Sequence, residues 1–360
     1  MSNIRQSELR PGRALRHCVP RLCLGTRVVT LVVMLSLSTQ APAADEGLKR
    51  FTFTEPHMGT GFKIILYAPD ERKARQAAKA AYERIAQLDS IMTDYRPASE
   101  LMQLCKKAGG PPVHVSEDLF VVLAKAQEVS KLSDGAFDVT VGPIVRLWRS
   151  ARKIHELPEP EKLAAARLLV GYQNVRIDKK AHTVQLLKPG MQLDLGGIAK
   201  GYAADAALLV LKNFGIHRAL VAAGGDIAVS DPPPNAKGWK IGIAPLEDPD
   251  SEPRRFLLLK NGAVSTSGDA EQNVEIGGKR YSHIVNPHTG IGLLGRQSAT
   301  IVAKNGITAD SLTKVVSVLG PEKGFAIIEK IDGVSSLVVR KTDKSEEVFR
   351  SKGFQEMKQE

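Results

Sequence analysis

Apolar and polar positions along the chain repeat with two different periods, and the places where the period changes mark out its elements. Residues 50–69, RFTFTEPHMGTGFKIILYAP, read as two strands joined by a turn at 57–61. From 70 to 92 the spacing changes: Ala74, Ala77, Ala78, Ala81, Ile85, Leu88 and Met92 recur as one face of a helix. Residues 116–132 open with a Ser and two acids, the composition of a capped helix start. LSDGAFDVTVGP then breaks the pattern with Gly135, Gly142 and Pro143. A short helix resumes in IVRLWRSA, Pro160 opens another in EKLAAARLLVG, and VRIDKKAHTVQLLKPG reads as a hairpin turning at 179–181.

In the second half, residues 191–195 predict a strand that runs into a glycine turn and a helix over 198–213, stopped by Gly215. HRALVAAGGDIAVS predicts a strand carrying a glycine pair, and WKIGIAPLEDP and RRFLLLKNGAVSTSG predict further strands. GKRYSHIVNPHTG is a strand then a turn, and SATIVAK is a strand. ITADSLTKVVSVLG is a helix ending at Gly320, and PEKGFAIIEKI is a second helix. SSLVVRK and EEVFR form a closing hairpin. Strands and helices mix without strict alternation, so the fold class is α+β rather than doubly wound α/β. No repeat of fixed period occurs. The expectation is a single compact domain of mixed sheets and helices, at most divided into two lobes.

Charge changes this picture at the N-terminus. Residues 1–27 carry six arginines against Glu8, an uncharged run VVTLVVMLSLST follows, and APA at 41–43 has the small residues of a cleavage site. A basic segment, a short apolar segment and such an end read as a secretory signal peptide over 1–43, leaving 44–360 as the folded domain. The apolar run is too short to span a bilayer, so the protein is expected to be exported to the periplasm and not transmembrane after cleavage. It would stay membrane-associated only if the leader were retained. The leader accounts for +5 of the formal +11, and the remaining +6 does not single out nucleic acid. No basic helix or aromatic–basic interleaving points to nucleic acid either. Cys18 and Cys23 belong to the leader; Cys105 is then alone, cannot form an internal disulfide and reads as a small buried filler.

Three glycine-rich turns carry polar residues: Asp194/Gly196/Gly197/Lys200, Gly224/Gly225/Asp226 and Thr266/Ser267/Gly268. Backbone N–H groups at a helix start make an anion site. The stretch LDLGGIAKGYAAD has Gly196 and Gly201 at P-loop spacing, but Tyr-Ala follows instead of Lys-Ser/Thr, and it lacks Gly-x-Gly-x-x-Gly. Taken alone, each turn reads as plain punctuation. Asp310 and Lys314 stand at i, i+4 on a helix, the spacing of an ordinary surface ion pair. His283 lies near the end of a strand, just before a proline turn, where it is either structural or a general acid or base. No paired-histidine or CxxC pattern suggests zinc.

HMGTGFKI, LDSIMTDYRPASEL, LSDGAFDVTVGPIVRLW, LDLGGIAKGYAAD, VAAGGDI, WKIGIAPLEDP, NGAVSTSGDAEQ, GKRYSHIVNPHTG and ITADSLTKVVSVLG occur in this order over 57–320. Together they resemble the ApbE family, the periplasmic FAD:protein FMN transferases. The resemblance implies FAD as substrate, with FMN moved to a Thr or Ser hydroxyl of an acceptor flavoprotein and AMP released. It also implies magnesium as the divalent metal screening the pyrophosphate. Carried over residue by residue, it implies that Met58, Tyr95, Ala136, Phe137, Asp138, Asp194, Lys200, His283 and Val285 bind the cofactor. His283 would handle the proton, and the Gly197 carbonyl and Asp310 would hold the metal, with Asp310 also placed in the catalytic set.

The chain departs from the family pattern in one consequential place. The family's helix carries Thr four residues after the Asp, as a metal ligand, and here that residue is Lys314. An ammonium has no lone pair to donate. Either Lys314 supplies a fixed charge where the metal would sit, or it extends outward and leaves the metal to Asp310 and Gly197. Ala270, Cys105 and Asn286 are smaller departures. Two alternative activities fit the same residues: a metal-dependent FAD pyrophosphatase giving FMN and AMP, and a non-catalytic periplasmic FAD-binding protein.

Overall fold

The computed structural model describes residues 47–246, 251–268, 273–342 and 345–355. The expected leader over 1–43 with its cleavage site, Cys18, Cys23 and Ala270 lie outside the described residues. The chain opens with strands β1 (Lys49–His57) and β2 (Thr60–Ala68), paired so tightly that His57 faces Thr60. Met58 and Gly59, both at positive φ, make the whole connection, the backbone that a two-residue hairpin of this twist requires.

Helix α1 (Glu71–Met92) follows, its first turn closed by the Asp70 carboxylate accepting from the Lys73 N–H. The seven periodic apolar positions read from the sequence are all among its buried residues. Then come α2 (Glu100–Lys106), β3 (Val113–His114), α3 (Glu117–Leu132), α4 (Gly142–Ile154) and α5 (Pro160–Arg167). The hairpin of β4 (Val175–Asp178) and β5 (Thr183–Leu186) leads into α6 (Ala199–Asn213).

Two expectations change here. Residues 191–195 form no strand. Met191, Leu193 and Leu195 are buried in alternation, but the Leu193 N–H donates to Cys105 Sγ at 3.3 Å and the Asp194 N–H to the Val139 carbonyl at 2.8 Å. Alternation records which side is buried, not whether a neighbouring strand exists. Residues 217–230 form two strands, β6 (Ala219–Ala223) and β7 (Asp226–Val229), because the glycine pair is a hairpin turn rather than an interruption.

The chain continues as β8 (Trp239–Ile243), β9 (Arg255–Leu259), β10 (Gly262–Gly268), β11 (Asn273–Ile276), β12 (Lys279–Val285), β13 (Gly292–Leu294) and β14 (Arg296–Ala303). The single strand expected from RRFLLLKNGAVSTSG is therefore two, turned at Asn261 in the left-handed region and placed in different sheets. Helix α7 (Gly306–Ile328) follows, broken at Gly320, where the sequence separates two helices. The chain closes with β15 (Ser335–Lys341) and β16 (Glu346–Arg350).

An eight-stranded sheet in the order β1-β2-β6-β7-β10-β14-β15-β16, antiparallel throughout, is the frame. Its strands alternate: Phe62, Ile64 and Leu66 enter one core with α1, α6 and α7, while Ile65 and Tyr67 turn to the opposite face. There the β8–β9 ribbon covers the sheet with Trp239, Ile241, Ile243, Leu257 and Leu259. A third cluster joins α4 and α5 to the β11–β12–β13 sheet around Trp148 and Tyr281. The class is α+β, and the described residues belong to one compact unit.

Candidate functional site

Helices α6 and α7 cross where two glycines meet. A Cβ on Gly201 would stand 2.1 Å from the Gly306 carbonyl oxygen and 2.8 Å from the Asp310 Cβ; one on Gly306 would stand 2.4 Å from the Gly201 oxygen. Only bare backbone permits this crossing. Gly201 thus serves the approach of two helices rather than the approach of a ligand. The crossing is held from α6, whose Asp205 carboxylate accepts the N–H groups of Gly306 and Ile307 at 2.7 and 3.0 Å. Those are two of the unpaired donors at the start of α7, a cap supplied from another helix.

The crossing buries Asp310 completely and sets its carboxylate against the first turn of α6. Its Oδ2 accepts the Gly201 N–H at 3.1 Å and lies 4.0 Å from Lys200 Nζ. Its Oδ1 accepts from Lys314 Nζ. This pair is not the surface pair that i, i+4 spacing alone suggests: Asp310 is 0% exposed and the Lys314 side chain 15%. Nor does Lys314 extend outward. Its ammonium also donates to Ser267 Oγ at 2.9 Å and to the Asp310 carbonyl at 3.1 Å, and its stem runs beneath Gly197. Thr313, one position early for the family's ligand, is buried with its hydroxyl on the Asp310 carbonyl and on Ser267 Oγ.

Lys200 lies between two acids, 2.9 Å from Asp226 Oδ2 as well as near Asp310. Asp226, at the β6–β7 turn, is fixed by Ser265 Oγ at 2.5 Å. Burial disfavours the Lys200 charge, but the two carboxylates outweigh it and hold the ammonium protonated well above its ordinary range. Burial likewise pushes the Asp310 carboxyl up, and Lys200 and Lys314 overcome it, leaving the group below the usual carboxylate range.

Above this floor opens a cavity of about 830 Å³, within the size range of small-molecule sites. It gathers Met58, Tyr95, Ala136, Phe137, Asp138, Asp194, Gly197, Lys200, His283, Val285 and Lys314; Asp310 lies just behind its floor, against Lys200 and Lys314. Met58 reaches the rim on the β1–β2 turn. Tyr95, 75% exposed, stacks over the Arg149 guanidinium at 4.5 Å. Arg149 donates from one end to Asp94 and from the other to Asp194 Oδ2 at 2.8 Å. Asp194 Oδ1 accepts the Gly196 N–H at 2.8 Å and so shapes the turn into α6. Burial raises the Asp194 carboxyl, and neighbouring Asp94 raises it further.

The Asp138 carboxylate takes the Thr140 N–H and hydroxyl on one oxygen and the Tyr172 N–H on the other. Its side chain brackets the 135–141 loop, which lines the cavity with Ala136, Phe137, Asp138, Val139 and Val141. Thr266, Ser267 and Gly268, expected as a turn, are the end of β10, paired with β14. The sequence carries no expectation for Arg149 or Asp94, and it marks Asp226 and Ser267 only as polar residues of glycine-rich turns. Arg149 sits in an ordinary amphipathic helix, where no local motif distinguishes it.

Both Asp310 oxygens are committed, one of them to an ammonium. Among the described residues no group of three or more His, Cys, Asp or Glu could hold a metal ion. A divalent cation does not fit Asp310 while Lys314 is in place.

The ApbE family model matches residues 58–338. The FAD:protein FMN transferase of Klebsiella pneumoniae (strain 342) is 31% identical over 295 residues, 81% of this chain and 89% of its own. That of Vibrio cholerae is 30% identical over 331 residues, 90% of this chain and 97% of its own. Among solved structures, the flavin transferase ApbE from Vibrio cholerae superposes with a TM-score of 0.76 at 30% identity, over 85% of this chain and 98% of that one. The flavinyl transferase ApbE of Pseudomonas stutzeri, in its apo form, gives 0.74 at 28%, covering 85% and 95%.

Proposed function

We infer that this chain, which belongs to the ApbE family, is an FAD:protein FMN transferase that moves the FMN half of FAD onto an acceptor protein. The observation that carries this reading is the convergence on one cavity of segments far apart in the chain. The Met58 turn, the Ala136–Phe137 loop, the start of α6, His283 and Val285 on β12, and Lys314 on α7 all line it.

The chemistry is phosphoryl transfer, in which the protein supplies position and charge. A Thr or Ser hydroxyl oxygen of the acceptor bonds to the FMN-side phosphorus. The bond from that phosphorus to the bridging oxygen breaks, and AMP leaves with the electron pair. The hydroxyl proton passes to His283 and then to solvent. Lys200, kept charged by Asp226 and Asp310, faces the phosphates. Asp194 and the loop at Ala136 and Phe137 hold the polar and ring portions of FAD, and Met58 and Tyr95 close the rim. The magnesium implied by the family resemblance does not fit Asp310 as this chain presents it, and no step runs through it.

The leader composition at 1–43 supports export to the periplasm. Among the described residues no helix is long and apolar enough to cross a membrane. N-terminal sequencing of the protein recovered from cells tests the cut after residue 43.

Incubating the purified protein with FAD and the unflavinylated forms of proteins that take phosphoester-linked FMN tests the function. The acceptor should gain one FMN on Thr or Ser, with one AMP released per FMN transferred. AMP release at full rate without acceptor would make the protein a pyrophosphatase; FAD binding with neither product would make it a binding protein.

A further inference from the structure

The disagreement between the donor set and a divalent ion has a direct reading. We propose that Lys314 makes this site metal-independent, its ammonium being the fixed cation that faces the cofactor's pyrophosphate. The inference rests on the FMN-transfer reading above and adds to it the means by which phosphate charge is met.

Lys314 is seated as a component of the site. Its three N–H donors have three acceptors: Asp310 Oδ1, the Asp310 carbonyl and Ser267 Oγ. Its stem fills the space under Gly197, where an added Cβ would meet Lys314 Cε at 3.2 Å and Phe137 Cε2 at 3.4 Å. The side chain lines the cavity, as do Lys200 and Asp226.

Charge count explains the consequence. Lys200 and Lys314 balance Asp226 and Asp310, so the cavity floor is neutral before any ligand arrives. A neutral floor with two ammonium groups receives a pyrophosphate without help. Ser267 Oγ, also bonded to Thr313, is the neutral acceptor that a phosphate oxygen can replace at Lys314 Nζ. A divalent ion bonding Asp310 Oδ1 at its usual short distance would overlap the ammonium already there and be repelled by it. With Thr in place of Lys314, the same floor would carry one net negative charge, which repels pyrophosphate and attracts a cation.

The competing reading is that Lys314 turns aside when FAD binds and a divalent ion takes Asp310 and the pyrophosphate together. The two are separated by the metal dependence of FAD affinity. FAD is titrated into the wild-type protein by calorimetry, once in excess chelator and once in magnesium. Manganese binding is followed separately by electron paramagnetic resonance. Wild-type FAD affinity should agree within about 2-fold between the two conditions, and manganese should stay unbound. Lys314→Thr should lose about 10-fold or more of its FAD affinity in chelator, regain it with magnesium, and bind manganese. Lys314→Arg should keep the wild-type indifference.

Wild-type FAD affinity that rises about 10-fold with magnesium, or stoichiometric manganese binding, overturns the inference and leaves the FMN-transfer reading standing. Absence of FAD binding in both conditions overturns both. The wild-type arms decide the matter even if Lys314→Thr fails to fold.

Discussion

Replacing Gly201 with alanine tests the contact on which the site is built. Gly201 is in the first turn of α6, where alanine is the better helix former by about 1 kcal/mol, so without the crossing the change would stabilise. The structure requires the opposite. The new methyl would stand 2.1 Å from the Gly306 oxygen, a separation real Cβ atoms essentially never show, so α6 and α7 must part. Overpacking of this kind costs about 1–3 kcal/mol. Separation also breaks the 3.1 Å hydrogen bond from the Gly201 N–H to the Asp310 carboxylate, worth about 1.5–3 kcal/mol with a charged acceptor. After the propensity gain, a net loss of about 2–5 kcal/mol remains. Urea unfolding reads it as a lowered midpoint. Gly61→Ala is the control: its Cβ would meet only Thr54 Cγ2, at 4.0 Å, and the midpoint should hold within about 1 kcal/mol. A Gly201→Ala protein as stable as wild type or more so would mean that the helices do not touch here, and the account of Asp310 would fall with that contact.

Three further outcomes follow from the same geometry. Lys200→Met leaves Asp226 and Asp310 short of a buried counter-charge and should cost about 3–5 kcal/mol at neutral pH, a deficit that shrinks in acid as the carboxylates protonate; a pH-independent deficit argues against the pairing. Burial raises the Asp205 carboxyl from 3.8 to about 6, so the folded state holds an extra proton between those values. Its contribution to stability therefore increases by about 3 kcal/mol as the pH falls from above 6 to below 4, and Asp205→Asn should remove that increment from the unfolding profile. Matching profiles for the two proteins would refute it. His283→Ala should lower kcat about 10²–10⁴-fold while FAD affinity stays within about 3-fold; equal losses in both would make His283 a binding group.

The elements were largely readable. The face of α1 and the break in α7 at Gly320 follow from local spacing and backbone chemistry. The readings that failed were those that needed a partner. Residues 191–195 alternate like a strand but donate their hydrogen bonds to the Val139 carbonyl and Cys105 Sγ. The 217–230 segment and the RRFLLLKNGAVSTSG segment each divide in two at a tight turn. The Thr266–Gly268 stretch, read as a turn, pairs as a strand. In the site, the family resemblance pointed to residues that the cavity gathers, but not to Arg149, which joins Asp94 to Asp194, nor to Ser267 beneath Lys314.

From spacing came the amphipathic faces and the α+β class; that Lys314 stands where Thr is usual came from the family resemblance. A hydrophobic period is a property of neighbours in the chain, and it says which side of an element avoids water. What that side meets is a property of contacts across a hundred residues, and those are settled only when the sheet and helices pack. The glycine at 201 looks the same in the sequence whether it approaches a phosphate or a helix, and Lys314 looks the same whether it faces solvent or Asp310. Tertiary packing decided both, by bringing α6 and α7 within backbone contact and by setting the ammonium against Asp310 and Ser267 at the cavity floor.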